Sequence, residues 1–103
     1  MIKDIKDTEL DEMVKEGFHI VDIYGTYCVP CKQLSAVFEE IEKEVPQISV
    51  LKINSDENKD IINRFSITSV PTLLFYKDGE IVNKKIGFLP KEDIFDIVSE
   101  YLY

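Results

Sequence analysis

The sequence predicts an α/β fold: a mostly parallel sheet covered by helices on both faces and closed by one antiparallel hairpin. Three observations lead there. Short runs rich in Ile and Val alternate along the chain with longer runs whose apolar residues recur at helical spacing. Asp78-Gly79 separates two strand-like runs, and that pair favours a two-residue hairpin turn because both positions need positive φ. The length of 103 residues suits one hydrophobic core, so a single domain over 1–103 is expected.

The elements follow in order. Ile2 to Ile5 reads as a short strand. Thr8 is placed to cap a helix with an acidic first turn (Glu9, Asp11, Glu12), with Leu10, Met13 and Val14 on one face and Gly17 past its end. His19 to Tyr24 is a buried strand bounded by Gly17 and Gly25. From near Cys31 to Val45, the residues Leu34, Val37, Phe38, Ile41 and Val45 mark a helix that Pro46 stops. Ile48 to Asn54 is the next strand, and Lys59 to Phe65 a short helix. Ser66 to Val70 is a connection, because Pro71 biases the residue before it toward extended backbone. Leu73 to Tyr76 and Ile81 to Ile86 form the hairpin. Pro90 suits the first turn of a last helix, with Ile94, Ile97, Val98, Tyr101 and Leu102 facing inward.

Composition narrows the function. Twenty acidic against twelve basic residues give a net charge of -8, which repels phosphate backbones and anionic lipid, so neither nucleic acid nor a membrane is an expected partner. The start, MIKDIKDTEL, has no apolar signal-like stretch, and no run approaches the roughly 20 apolar residues of a membrane span. A cytoplasmic location is the expectation.

Both cysteines fall in one motif, Cys28-Val29-Pro30-Cys31, directly after a buried strand and before a helix. The helix start offers unpaired N–H groups and a positive dipole end, which favour the thiolate that attacks disulfides. Cys28 is therefore the expected nucleophile. Cys31, one turn inside the helix, is the thiol that would resolve the mixed disulfide. This exchange needs no external cofactor. A zinc site would need four ligands, and His19, at the far end of the preceding strand, is the one other soft donor, so no metal is expected.

These motifs resemble the thioredoxin family along nearly the whole chain. VDIYGTYCVPCK is similar to its active-site segment, SVPT to its cis-proline loop, KDGE to its hairpin, and IGF to the glycine loop facing the cysteines. The resemblance implies the thioredoxin fold, with a central five-stranded mixed sheet flanked by helices on both faces. It also implies reduction of protein disulfides and recycling by a flavin-containing thioredoxin reductase; the chain is expected to act as a monomer.

Residue by residue, Asp22 matches the family's buried acid, which handles the proton of the resolving cysteine, and Lys52 the lysine near that acid. Pro71 matches the cis-proline, whose preceding residue, Val70, pairs with the substrate backbone. Gly87 matches the glycine that lets a partner approach. Tyr27, Val29, Pro30, Val70 and Ile86 would line the docking surface. Tyr24 and Tyr27 replace the family's usual tryptophans, Val29 stands where Gly is usual, and Ala36 replaces a common kinking proline, which predicts a straighter helix.

Three rivals share the fold. Oxidants and isomerases usually carry His before the second cysteine, where Pro30 stands here. A glutaredoxin-like reading draws on Ser69-Val70-Pro71 but lacks the basic groups that glutathione's carboxylates need. A docking module without chemistry has no use for two cysteines and Asp22.

Overall fold

A computed structural model describes residues 1–102. Five strands, β1 (Ile2–Asp4), β2 (Phe18–Tyr24), β3 (Ser49–Asn54), β4 (Thr72–Lys77) and β5 (Glu80–Ile86), form one sheet in the order β1-β3-β2-β4-β5. The helices are α1 (Leu10–Met13), α2 (Val29–Glu44), α3 (Asp60–Arg64) and α4 (Lys91–Leu102).

β1 and β2 both run parallel to β3, whereas β4 is antiparallel to β2 as well as to β5. The sheet is thus mixed, with more antiparallel pairing than the hairpin alone provides. The reason is local. Ser55 N–H bonds the Tyr24 carbonyl at 2.8 Å where β3 ends, and Thr72 at the start of β4 pairs with Ile23 near the end of β2. The α3 segment passes over β2 but stays at that end of the sheet, so β4 has to run back. At the hairpin, Asp78 and Gly79 have φ of 49° and 85°, the paired positive values that a two-residue turn needs.

Alternate residues of the strands bury two faces. Ile20, Val50, Leu73 and Phe75 pack under α2 (Leu34, Phe38, Ile41) and α4 (Ile94, Ile97, Val98). Val21, Ile23, Leu51, Ile53, Leu74 and Tyr76 pack with Ile5 and with Leu10, Val14 and Ile61 on the α1 and α3 side. Phe38 and Phe75 are fully buried, each contributing roughly 1.5–3 kcal/mol relative to exposure.

Two expectations at helix ends are corrected. Thr8 does not cap α1: the chain turns earlier, through a 3-10 segment at Asp7–Glu9, where the Glu9 carboxylate accepts from the Lys6 N–H at 2.8 Å. Leu102 does not face inward but is 43% exposed, because the inward stripe of α4 ends at the partly buried Tyr101. α2 starts at Val29, two residues before the expected point, since Pro30 fits the first turn, where its missing N–H costs no bond.

Candidate active site at the start of the second helix

β2, the central strand, delivers the chain to one end of the sheet, Gly25 to Tyr27 turn it, and Cys28 caps α2 with extended backbone (φ -131°, ψ 105°). Cys28 and Cys31 are joined as a disulfide with their Cα atoms 5.2 Å apart. The Cys31 N–H points at Cys28 Sγ, 3.2 Å away. No acid occupies the first turn of α2, so the positive end of the helix acts on Cys28 without a counter-charge. Cys28 is partly exposed, while Cys31 is 2% exposed on the inner side of the helix.

Around the pair stand the residues expected to meet a partner. Tyr27 is 96% exposed, Val29 67% and Ile86 54%, and Pro30 is exposed beside them. The Val70–Pro71 peptide is cis, as the resemblance implied. The Val70 carbonyl oxygen lies 3.7 Å from Cys28 Sγ. Gly87, with φ of 92°, donates its N–H to the Pro71 carbonyl at 2.8 Å and has open space where a Cβ would project. Val70 is less of a rim residue than expected: its side chain is partly buried against the α1 and α3 core, and Pro71 is buried. Phe88, 43% exposed next to Gly87, extends the apolar surface beyond the residues foreseen.

Asp22 lies on the sheet face beneath α2 and is fully buried. Neither of its carboxylate oxygens has a hydrogen-bond partner among the described residues. Burial pushes its pKa up to about 7; the Lys52 charge pulls against that rise and the Asp4 charge adds to it. The register explains these neighbours, since Asp22 and Asp4 each pair with Lys52 across parallel strands. The Lys52 ammonium donates to Ser35 Oγ on α2 and sits 4.8 Å from the centroid of the Tyr24 ring. Tyr24 in turn donates its hydroxyl proton to Asp4 Oδ1 at 2.7 Å.

Several contributors escaped the sequence reading. Asp56 accepts the Thr26 N–H at 2.8 Å, Asn54 donates to Thr26 Oγ1 at 3.1 Å, and Ser55 bonds Tyr24, together fixing the turn that precedes Cys28. An Asn-Ser-Asp cluster after a strand is a turn signal, but nothing local says which turn it braces. Ser35 and Asp4 gave no signal either. His19 lies elsewhere, bonded to Ser49 Oγ and the Glu16 carbonyl, both at 2.8 Å. Among the described residues no cluster of three or more His, Cys, Asp or Glu could hold a metal, and no helix is long and apolar enough to cross a membrane.

The chain is similar to known proteins over nearly its whole length. The family model described as Thioredoxin matches residues 1–100. A protein named Thioredoxin from Listeria monocytogenes serovar 1/2a is 36% identical over 103 residues, covering 99% of this chain and 100% of the relative. Thioredoxins from Staphylococcus saprophyticus and Staphylococcus aureus are 35% and 34% identical over 99 residues, covering 95% of each chain.

Proposed function

Because the chain belongs to the thioredoxin family, and is a thiol-disulfide oxidoreductase that reduces protein disulfides in partnership with a thioredoxin reductase, we propose how its residues divide that work. The observation that carries the division is the asymmetry of the pair. Cys28 is accessible at the helix start with a backbone N–H on its sulfur, and Cys31 is buried behind it.

In the reduced protein, the Cys28 thiolate attacks one sulfur of a substrate disulfide, forming a mixed disulfide and releasing the other sulfur as a thiolate. The Cys31 thiol then gives its proton to Asp22, attacks Cys28 Sγ, and displaces the second substrate sulfur with its electron pair. Two electrons have moved to the substrate, and the Cys28–Cys31 disulfide remains for the reductase to reduce. Asp22 suits the role because burial holds its affinity for a proton near neutrality, where a base works in both directions.

Lys52 tunes that acid. Tyr27, Val29, Pro30, Ile86 and Gly87 receive the partner, and Val70 supplies backbone to pair with it. The reductase is of the flavin-containing kind, and the chain acts as a monomer of one domain, in the cytoplasm and without a cofactor of its own. Glutaredoxin chemistry is disfavoured by an acidic chain whose nearest basic residue to the pair is Lys32.

The test is chemical trapping. With an insulin-type substrate and dithiothreitol, wild type should accelerate reduction, Cys31→Ser should accumulate a mixed disulfide, and Cys28→Ser should accumulate none. Trapping through Cys31 instead would reverse the roles, and no acceleration by wild type would leave the pair inert.

A further inference from the structure

Asp22 and Lys52 face each other across β2 and β3, yet they do not form an ion pair. The ion pairs among the described residues are Met1–Glu42, Arg64–Asp11 and Lys91–Glu44. A buried carboxylate without a hydrogen bond to the protein and a partly buried ammonium beside it would ordinarily close on one another, since burial raises the cost of an unpaired charge. Something holds the ammonium elsewhere.

The restraint comes from two directions. Ser35 stands four residues after Cys31, so both occupy the inner face of α2, and its hydroxyl accepts the Lys52 ammonium. On another side the ammonium rests on the Tyr24 ring, a cation–π contact, and that ring is tied by its hydroxyl to Asp4. Asp4, the other acid beside Lys52 in register, is thereby engaged by Tyr24. The neighbour of Asp22 in register on β4, Leu73, is apolar and belongs to the core that α2 and α4 cover. The charges that reach Asp22 are Lys52 and Asp4.

We infer that Ser35 is a positioning residue for the redox reaction: its hydroxyl holds the Lys52 ammonium off the Asp22 carboxylate, leaving that carboxylate free to take the Cys31 proton. The inference rests on Asp22 as the proton acceptor. An ammonium at contact would stabilise the ionised carboxylate and make it a weaker base; an ammonium held at a remove tempers burial without abolishing basicity. Ser35 touches neither sulfur and acts through Lys52.

Titration of the Asp22 carboxyl by carbon NMR in the oxidised protein tests the tether directly. Ser35→Ala should lower the midpoint by about one pH unit or more as Lys52 closes on Asp22. Ser35→Thr, which keeps the hydroxyl, should restore the wild-type midpoint. Lys52→Met should raise it, and Ser35→Ala on that background should no longer lower it. A midpoint that stays or rises in Ser35→Ala, or a lowering that persists without Lys52, would overturn the inference.

Kinetics separate the tether from the reading beneath it. In Ser35→Ala the pH profile of mixed-disulfide resolution should move to lower pH with a plateau reduced a few-fold, while attack by Cys28 keeps its rate. If the carboxyl titration shifts and the resolution profile does not, the tether holds and Asp22 is not the acceptor.

Discussion

The face of the sheet under α2 and α4 and the face under α1 and α3 are lined by alternate residues of the same strands, yet they treat polarity differently. On the α1 and α3 side, Val21, Ile23, Leu51 and Ile53 are fully buried among apolar neighbours. On the other side, Asp22 is just as buried, with a lysine and a serine close by. Ser55 and Thr72, the other buried polar residues, bond the carbonyls of Tyr24 and Ser69 and so resemble ordinary satisfied interior groups. Only Asp22 is left unpaired among them. Among the described buried polar residues, the unsatisfied acid thus lies in the layer beneath the helix that carries the two cysteines.

Moving the acid by one residue, onto the other face of the sheet, should have the largest effect. Val21→Asp would place a carboxylate between Leu51 and Leu74 with no lysine opposite, and a loss above about 4 kcal/mol is expected. Chemical denaturation at neutral pH would show it, and a variant near wild-type stability would mean the two faces are equivalent.

Removing the acid should do the reverse. The unfolded carboxyl has a pKa of about 3.9 and the folded one about 7. Between those values the folded state keeps a proton that the unfolded chain has released, so stability falls as pH rises. The contribution is fully present below about pH 4 and lost above about pH 7, a change on the order of 4 kcal/mol. Asp22→Asn should therefore be a few kcal/mol more stable than wild type at pH 8, with the advantage fading by about pH 4. Its turnover of protein disulfides should be slower. Parallel stability curves in pH would expose any failure, and unchanged turnover across neutral pH would make Asp22 a structural residue only.

The redox pair itself should show a comparable asymmetry. In the reduced protein, Cys28 should alkylate near neutral pH faster than Cys31 by about a hundredfold, because one sulfur is at the exposed helix start and the other beneath it. Mass mapping of singly labelled protein would read this, and equal labelling would reverse the assignment.

The smallest effect belongs at the rim. Val29 is exposed and touches no core, so Val29→Gly should cost less than about 1 kcal/mol of stability. It should nevertheless raise kcat/KM with a reductase from an ordinary thioredoxin system a few-fold, by removing a β-branched side chain from the approach surface. Reductase kinetics that do not change would make Val29 neutral.

Much of this site was legible along the chain. The two cysteines, their strand before and helix after, the hairpin turn and the helical stripes are features of neighbouring residues, and neighbouring residues obey local geometry. Asp22 stood out because apolar residues flank it. The family resemblance extended that to Lys52, Pro71 and Gly87, roles that spacing could not supply.

Local sequence sets the order and type of the elements, the redox pair, and which of its sulfurs meets the helix start. Tertiary structure decided the rest. Ser35 and Lys52 are 17 residues apart, and Tyr24 and Asp4 are 20 apart. They meet only because β1, β3 and β2 lie parallel in one register and α2 crosses above them. The direction of β4, the partial burial of Val70 and the bracing of Thr26 by Asp56 likewise depend on which segments pack together. The acid's proton affinity follows the same logic: desolvation acts on a group through every element that excludes water around it, and no window of sequence contains them all.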